Sequence, residues 1–106
     1  MDSREERVGK NEALFREVNE RIREITTSNG DAEFLCECGD SRCAQPIAVS
    51  IDEYEAVRSV PTRFLIVPGH EIAEVEEVVQ ENERFAVVEK RPGLPVDLAA
   101  YTDPRG

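Results

Sequence analysis

Apolar positions along the chain follow two different rhythms, and the change comes at Gly30. Before it, Leu14, Val18, Ile22 and Ile25 recur at spacings of four, four and three, with Phe15 beside them. That repeat marks one face of an α-helix and predicts a helix from about Ser3 to Ser28. Ser3 and Glu6 have the S-x-x-E spacing of a capping box, in which hydroxyl and carboxylate each satisfy an unpaired backbone donor. Glu6–Lys10, Glu12–Arg16 and Glu17–Arg21 stand at i,i+4 in the favourable order, each contributing a few tenths of a kcal/mol. Thr26, Thr27, Ser28, Asn29 and Gly30 end the helix with β-branched and turn residues. Its apolar stripe needs a cover. The rest of the domain is one candidate, and a second copy of the chain is the other.

After Gly30 the apolar residues come in short runs, which predict strands near 33–36, 46–49, 63–67 and 84–89. Ser50-Ile51-Asp52-Glu53 repeats the capping signature and opens a short helix with Ile51, Tyr54 and Val57 on one face. Phe64-Leu65-Ile66-Val67 suits a buried strand, stopped by the turn residues Pro68-Gly69. Ile72, Val75, Val78 and Val79 fit a helix by spacing and a strand by composition, so 72–80 stays open between the two. The implied fold is α+β: a long N-terminal helix packed on a small, mainly antiparallel sheet, with a zinc-stabilised loop. Phe34, Ile47, Phe64, Ile66, Phe85 and Val87 are the expected core. Residues 1–90 read as a single domain and 91–106, rich in proline and glycine, as an irregular tail.

Length and charge then narrow the function. A chain of 106 residues has room for one core. It carries 23 Asp+Glu against 13 Lys+Arg, a formal charge of -10. Nucleic acid is recognised through clustered Lys and Arg, so this balance argues against it. No apolar run approaches the roughly 18 residues of a membrane span, and MDSREERVGK has no signal-type apolar region. The expectation is a cytoplasmic protein that does not engage a membrane. Three cysteines fit reduced thiols or a metal site better than a closed disulfide framework.

Those cysteines form the sharpest feature, Cys36-Glu37-Cys38-Gly39-Asp40-Ser41-Arg42-Cys43, a C-x-C-x4-C array. Zinc prefers four tetrahedral sulfur and nitrogen ligands, and Cys3His is an ordinary structural set. Gly39 relaxes the backbone where the loop must wrap. The only histidine, His70, follows a strand and a Pro-Gly turn, much as the cysteines follow the strand at Phe34, so the two loops could meet at one end of the sheet. Cys36, Cys38, Cys43 and His70 are therefore the candidate ligands of one zinc per chain. Duller roles compete. Cys36 continues an apolar strand and would serve as a small core residue, and a lone histidine is often simply hydrogen-bonded. Cys38 and Cys43 sit in a polar loop of Glu, Asp and Arg, where exposed thiols are a liability.

Locally, CECGDSRC resembles the zinc loop that follows the catalytic SET domain of histone methyltransferases, with its C-x-C-G-x3-C pattern and a fourth ligand from elsewhere. The likeness covers eight residues and implies a zinc site without the methyltransferase activity. More broadly, NEALFREVNERIRE, FLCECGDSRC, EYEAVR, PTRFLIVPGHE and RFAVVEK resemble a group of small proteins common in actinobacteria, with a C-x-C-G-x3-C loop and a P-G-H-E motif. That resemblance spans about Asn11 to Lys90 and implies a host class, not a mechanism. Three cysteines and a histidine also hold the two-iron cluster of CDGSH-type proteins, but here the third cysteine comes too soon and the C-D-G-S-H run is missing.

No Gly-rich phosphate loop, G-x-S-x-G or H-E-x-x-H signature is present. A Cys–His nucleophile would compete with the metal for the same thiols, and a zinc with four protein ligands has no position for water. Acidic runs such as Glu76-Glu77 and Glu81-Asn82-Glu83 read as solvated faces. The sequence thus predicts a non-enzymatic zinc-binding domain, a protein-interaction or regulatory module. Its partner would be an unidentified protein, with a homodimer through the N-terminal helix as a further expectation. The alternatives are a thiol-based redox switch, in which oxidation of the zinc-thiolate loop releases the metal, and a [2Fe-2S] protein.

Overall fold

The computed structural model describes residues 4–26, 31–40, 42–43, 45–73 and 75–91, with only the backbone for 4–6. Its elements are α1 (Arg4–Ile25), β1 (Asp31–Leu35), β2 (Pro46–Ser50), α2 (Ile51–Arg58), β3 (Arg63–Ile66), β4 (Glu76–Glu81) and β5 (Ala86–Lys90). The capping box at Ser3, the helix end at 27–30 and the tail at 92–106 lie outside the described residues. The architecture is α+β, as the periodicity implied. No helix among the described residues is long and apolar enough to cross a membrane.

The strands form two antiparallel sheets rather than one. β1 and β2 make a hairpin with Phe34 opposite Ile47 and Ala32 opposite Val49. β3, β5 and β4 form the second sheet in that order, with Phe64 opposite Val88 and Leu65 opposite Val87. The two are stitched just past β1. Cys36 N–H still bonds within the hairpin, to Gln45 O at 2.9 Å, but Glu37 N–H crosses to Leu65 O at 2.7 Å. The chain therefore leaves one ladder and joins the other at the start of the cysteine loop.

Phe34, Ile47, Phe64, Ile66, Phe85 and Val87 lie in one buried cluster. The hairpin alternates, with Phe34, Ile47 and Val49 inward, whereas β3 and β5 are buried along nearly their whole length. Tyr54 joins it, its ring stacked on Phe34 with centroids 4.2 Å apart. α2 begins where the sequence placed it. Ser50 accepts from Glu53 N–H while the Glu53 carboxylate accepts from Ser50 N–H, completing the capping box. The segment 72–80 divides: Val75 N–H and Glu76 N–H both turn back to Ile72 O, and the strand begins at Glu76. Pairing with β5 decides the second half, and no local pattern reports that.

α1 departs from expectation in the face it presents. Leu14 and Ile25 are 58% and 78% exposed, and Val18 is exposed too; of the predicted stripe, Ile22 packs against the core and Phe15 is half-buried. The inward face is instead Val8, Glu12, Arg16, Asn19 and Glu20. Each polar side chain meets a partner from another element. Glu12 pairs with Lys90. Arg16 Nη1 donates to Pro61 O at 2.7 Å, and its guanidinium lies 4.6 Å from the Phe64 ring centroid. Tyr54 Oη donates to Glu20 at 3.0 Å. Buried polar groups are tolerated when partnered, and these partners choose the face. Glu76 is a second departure, since it is buried against Lys90 rather than solvated, while Glu77, Glu81 and Glu83 are exposed.

Candidate metal centre

The cysteine loop and the turn after β3 meet, as the strand ends allow. Cys36, Cys38, Cys43 and His70 each contribute a donor atom, and all four atoms lie within 4.8 Å of one another. His70 Nδ1 is 3.6 Å from Cys36 Sγ and 3.6 Å from Cys43 Sγ. A sulfur about 2.3 Å and a nitrogen about 2.0–2.1 Å from one tetrahedral ion are about 3.6 Å apart. The donor set therefore fits one tetrahedral ion that favours sulfur and nitrogen.

Local backbone bonds shape both loops. Arg42 N–H donates to Asp40 Oδ1 at 2.9 Å and Cys43 N–H to Asp40 O at 3.0 Å, folding the chain back from Cys38 to Cys43. His70 N–H donates to Val67 O at 3.0 Å across a turn in which Gly69 has φ 92°. That left-handed conformation suits glycine, which has no Cβ to clash.

Longer-range contacts fix the loop against the body. Asn19 pairs with Leu35 as a strand would, its amide donating to Leu35 O and accepting from Leu35 N–H, both at 2.8 Å. Asn11 Nδ2 donates to Gly39 O at 2.9 Å. Glu37 is the residue that sequence reasoning missed, having placed it in a polar loop. It is buried, accepting from Asn19 Nδ2 at 2.8 Å, Arg58 Nη2 at 3.2 Å and Leu65 N–H at 2.9 Å. Nothing in C-E-C distinguishes a buried glutamate from a solvated one. Gly39 is also tightly held: a Cβ there would fall 2.5 Å from Val8 Cγ1.

The sulfurs sit among backbone donors. Val67 N–H reaches Cys36 Sγ at 3.2 Å, and the backbone amides of Asp40 and Gln45 serve Cys38 and Cys43. The Cys36 thiol donates to Cys38, drawing Cys38 down to about 5 despite its burial, with help from Asp40 and His70. Cys36 is pushed up by holding that proton toward Cys38 and by burial, and Cys43 is pushed up mainly by burial. Without an ion, one sulfur carries charge and its neighbours keep their protons, since adjacent thiolates repel. A dication between them would reverse that preference.

Cys36 and Cys38 are buried, whereas Cys43 and His70 are half-buried. A shallow depression of about 210 Å³, lined by Cys38, Gly39, Asp40, His70 and Ile72, opens onto the cluster. Fold and site together define a small α+β domain with a Cys3His group able to bind a metal. Compared with known protein families, curated proteins and solved structures, the chain finds no match.

Proposed function

We propose that this chain is a zinc-binding domain with one structural Cys3His zinc, serving as a protein-interaction or regulatory module and catalysing no reaction. The observation that supports it is the spacing of the four donors, with 3.6 Å from His70 Nδ1 to two sulfurs. Cys36, Cys38, Cys43 and His70 would hold the ion and fill a tetrahedral shell, so no position remains for an attacking water. Zinc supplies folding energy at such sites, here by clamping the loop after β1 to the turn after β3. The net charge of -10 favours a protein partner over nucleic acid. A reducing cytoplasm suits thiols kept for a metal, and the resemblance of segments within 11–90 to small actinobacterial proteins adds a host class. Elemental analysis of protein purified without added metal tests this reading. About one zinc per chain is the expected result; neither zinc nor iron, with three freely titrating thiols, overturns it.

The depression beside the cluster and the half-buried Cys43 favour a second reading, in which oxidant reaches the thiolates and expels the zinc. Thiolate character and exposure are what make a cysteine oxidisable. Zinc content and circular dichroism before and after mild peroxide, with reversal by a thiol, separate a switch from a purely structural ion. Iron in place of zinc would instead indicate the [2Fe-2S] alternative.

A further inference from the structure

α2 and the sheet face beside it do not close completely. Between them lies a cleft of about 320 Å³ with Val57, Phe85 and Val87 as its apolar lining, Asp52 on the α2 side and Gln80 on the β4 side. Glu77 pairs in register with Glu89, two residues on from Val87, so it shares the sheet face on which the cleft opens. The cations close by are engaged, Arg63 with Glu89 and Arg84 with Glu53. Asp52, Glu77, Glu81 and Glu83 are exposed and have no ion-pair partner among the described residues. β4 is also the outer strand of its sheet, with a row of backbone donors and acceptors facing away from β5.

From this we infer that the cleft and the outer edge of β4 take an extended, lysine- or arginine-bearing segment of another protein, with one apolar side chain set into the cleft. Charge opposes the two occupants that the chain itself could supply. Residues 76–83 hold four glutamates and no cation, so β4 of a second copy brings only more carboxylates in any register, and like charges disfavour association. Residues 92–106 hold two aspartates against one arginine, with three prolines, each unable to donate to a strand. A cationic segment from elsewhere answers Asp52, Glu77 and Glu81 by charge and the free edge by backbone bonds, as in recognition by strand addition. The bulge at Val79 interrupts a regular ladder, so the cleft and the carboxylates carry most of the recognition. The inference gives the interaction module proposed above its partner class and rests on that part of the reading. None of the four candidate metal ligands lines the cleft, so peptide binding and metal content are separate measurements.

Fluorescence anisotropy of the full chain as purified tests this, with short blocked peptides in which lysine alternates with valine, lysine with serine, or glutamate with valine. The lysine–valine peptide is expected to bind, and more weakly as salt rises. The lysine–serine peptide should bind roughly tenfold or more weakly still, because no apolar side chain fills the cleft, and the glutamate–valine peptide should not bind. Glu77→Lys should weaken the lysine–valine complex by roughly tenfold or more through repulsion. Ala56→Trp, at an exposed position lining the cleft, should abolish it by filling the space, with circular dichroism unchanged. The inference is overturned if the lysine–valine peptide does not bind, if the lysine–serine peptide binds equally well, or if either variant binds like the wild type. Binding that appears only when the chain is shortened after Arg91 overturns it as well, by identifying residues 92–106 as the occupant. Zinc content of the same sample keeps the two readings apart: a zinc-loaded chain that ignores the peptide loses the partner class and keeps the metal site.

Discussion

Glu37 and Arg58 form an ion pair of 3.2 Å in which neither side chain reaches solvent. The same carboxylate accepts from Asn19 and from the Leu65 amide, so one residue between two candidate ligands ties the loop to α1, α2 and β3. Removing one partner of a buried pair strands the other charge, at about 3–5 kcal/mol. Glu37→Ala is expected to lose about that much, measured by urea unfolding. Because the carboxylate supports the loop rather than the ion, metal affinity should also fall roughly 10–100-fold, read by competition with a chelator.

His70→Ala should lower metal affinity and stability together, since binding and folding are linked. Free zinc at 100 times its dissociation constant stabilises a protein by about 2.7 kcal/mol, and the variant should lose most of such a gain. His70→Cys should recover much of it, because four thiolates also make an ordinary structural zinc site. Thermal melts with and without zinc, and with a chelator, check both variants.

Gly39→Ala tests how closely α1 presses on the loop. The new methyl would meet Val8 Cγ1 at 2.5 Å and Ile72 Cδ1 at 3.2 Å, an overpacking that costs about 1–3 kcal/mol. Trimming Val8 to Ala in the same protein removes the nearest clash, so the double variant should lose less than the sum of the two single changes. Denaturant midpoints of the four proteins of the cycle check it.

Glu12 shapes the dependence of stability on pH. Burial raises its carboxyl well above the usual 4.5, opposed by Lys90 and reinforced by Glu76. Between about pH 4.5 and the raised value, the folded chain holds a proton that the unfolded chain releases. Stability from this group therefore falls as pH rises through that window. Glu12→Gln removes the titration and keeps an acceptor for Lys90. The variant should match the wild type near pH 4 and gain on it steadily above, measured as the difference between their unfolding free energies. Taking the difference cancels the metal's own pH dependence.

Much of this protein was legible before any coordinate. Apolar periodicity located α1, short apolar runs located β1, β2, β3 and β5, the S-x-x-E signature located α2, and the turn residues before His70 pointed it toward the cysteines. These signals are local: spacing along a few turns or residues reports which side chains leave water and where the backbone bends. Only the tertiary structure decided which face of α1 goes inward, that Glu37 and Glu76 are buried, and that 72–80 is half turn and half strand. The reason is that burying a charge is decided by its partner, and the partner is distant. Glu12 meets Lys90 across 78 positions and Glu37 meets Arg58 across 21. A hydrophobic residue states its preference alone, whereas a glutamate's fate is set by the cation and amide groups that the finished fold delivers to it.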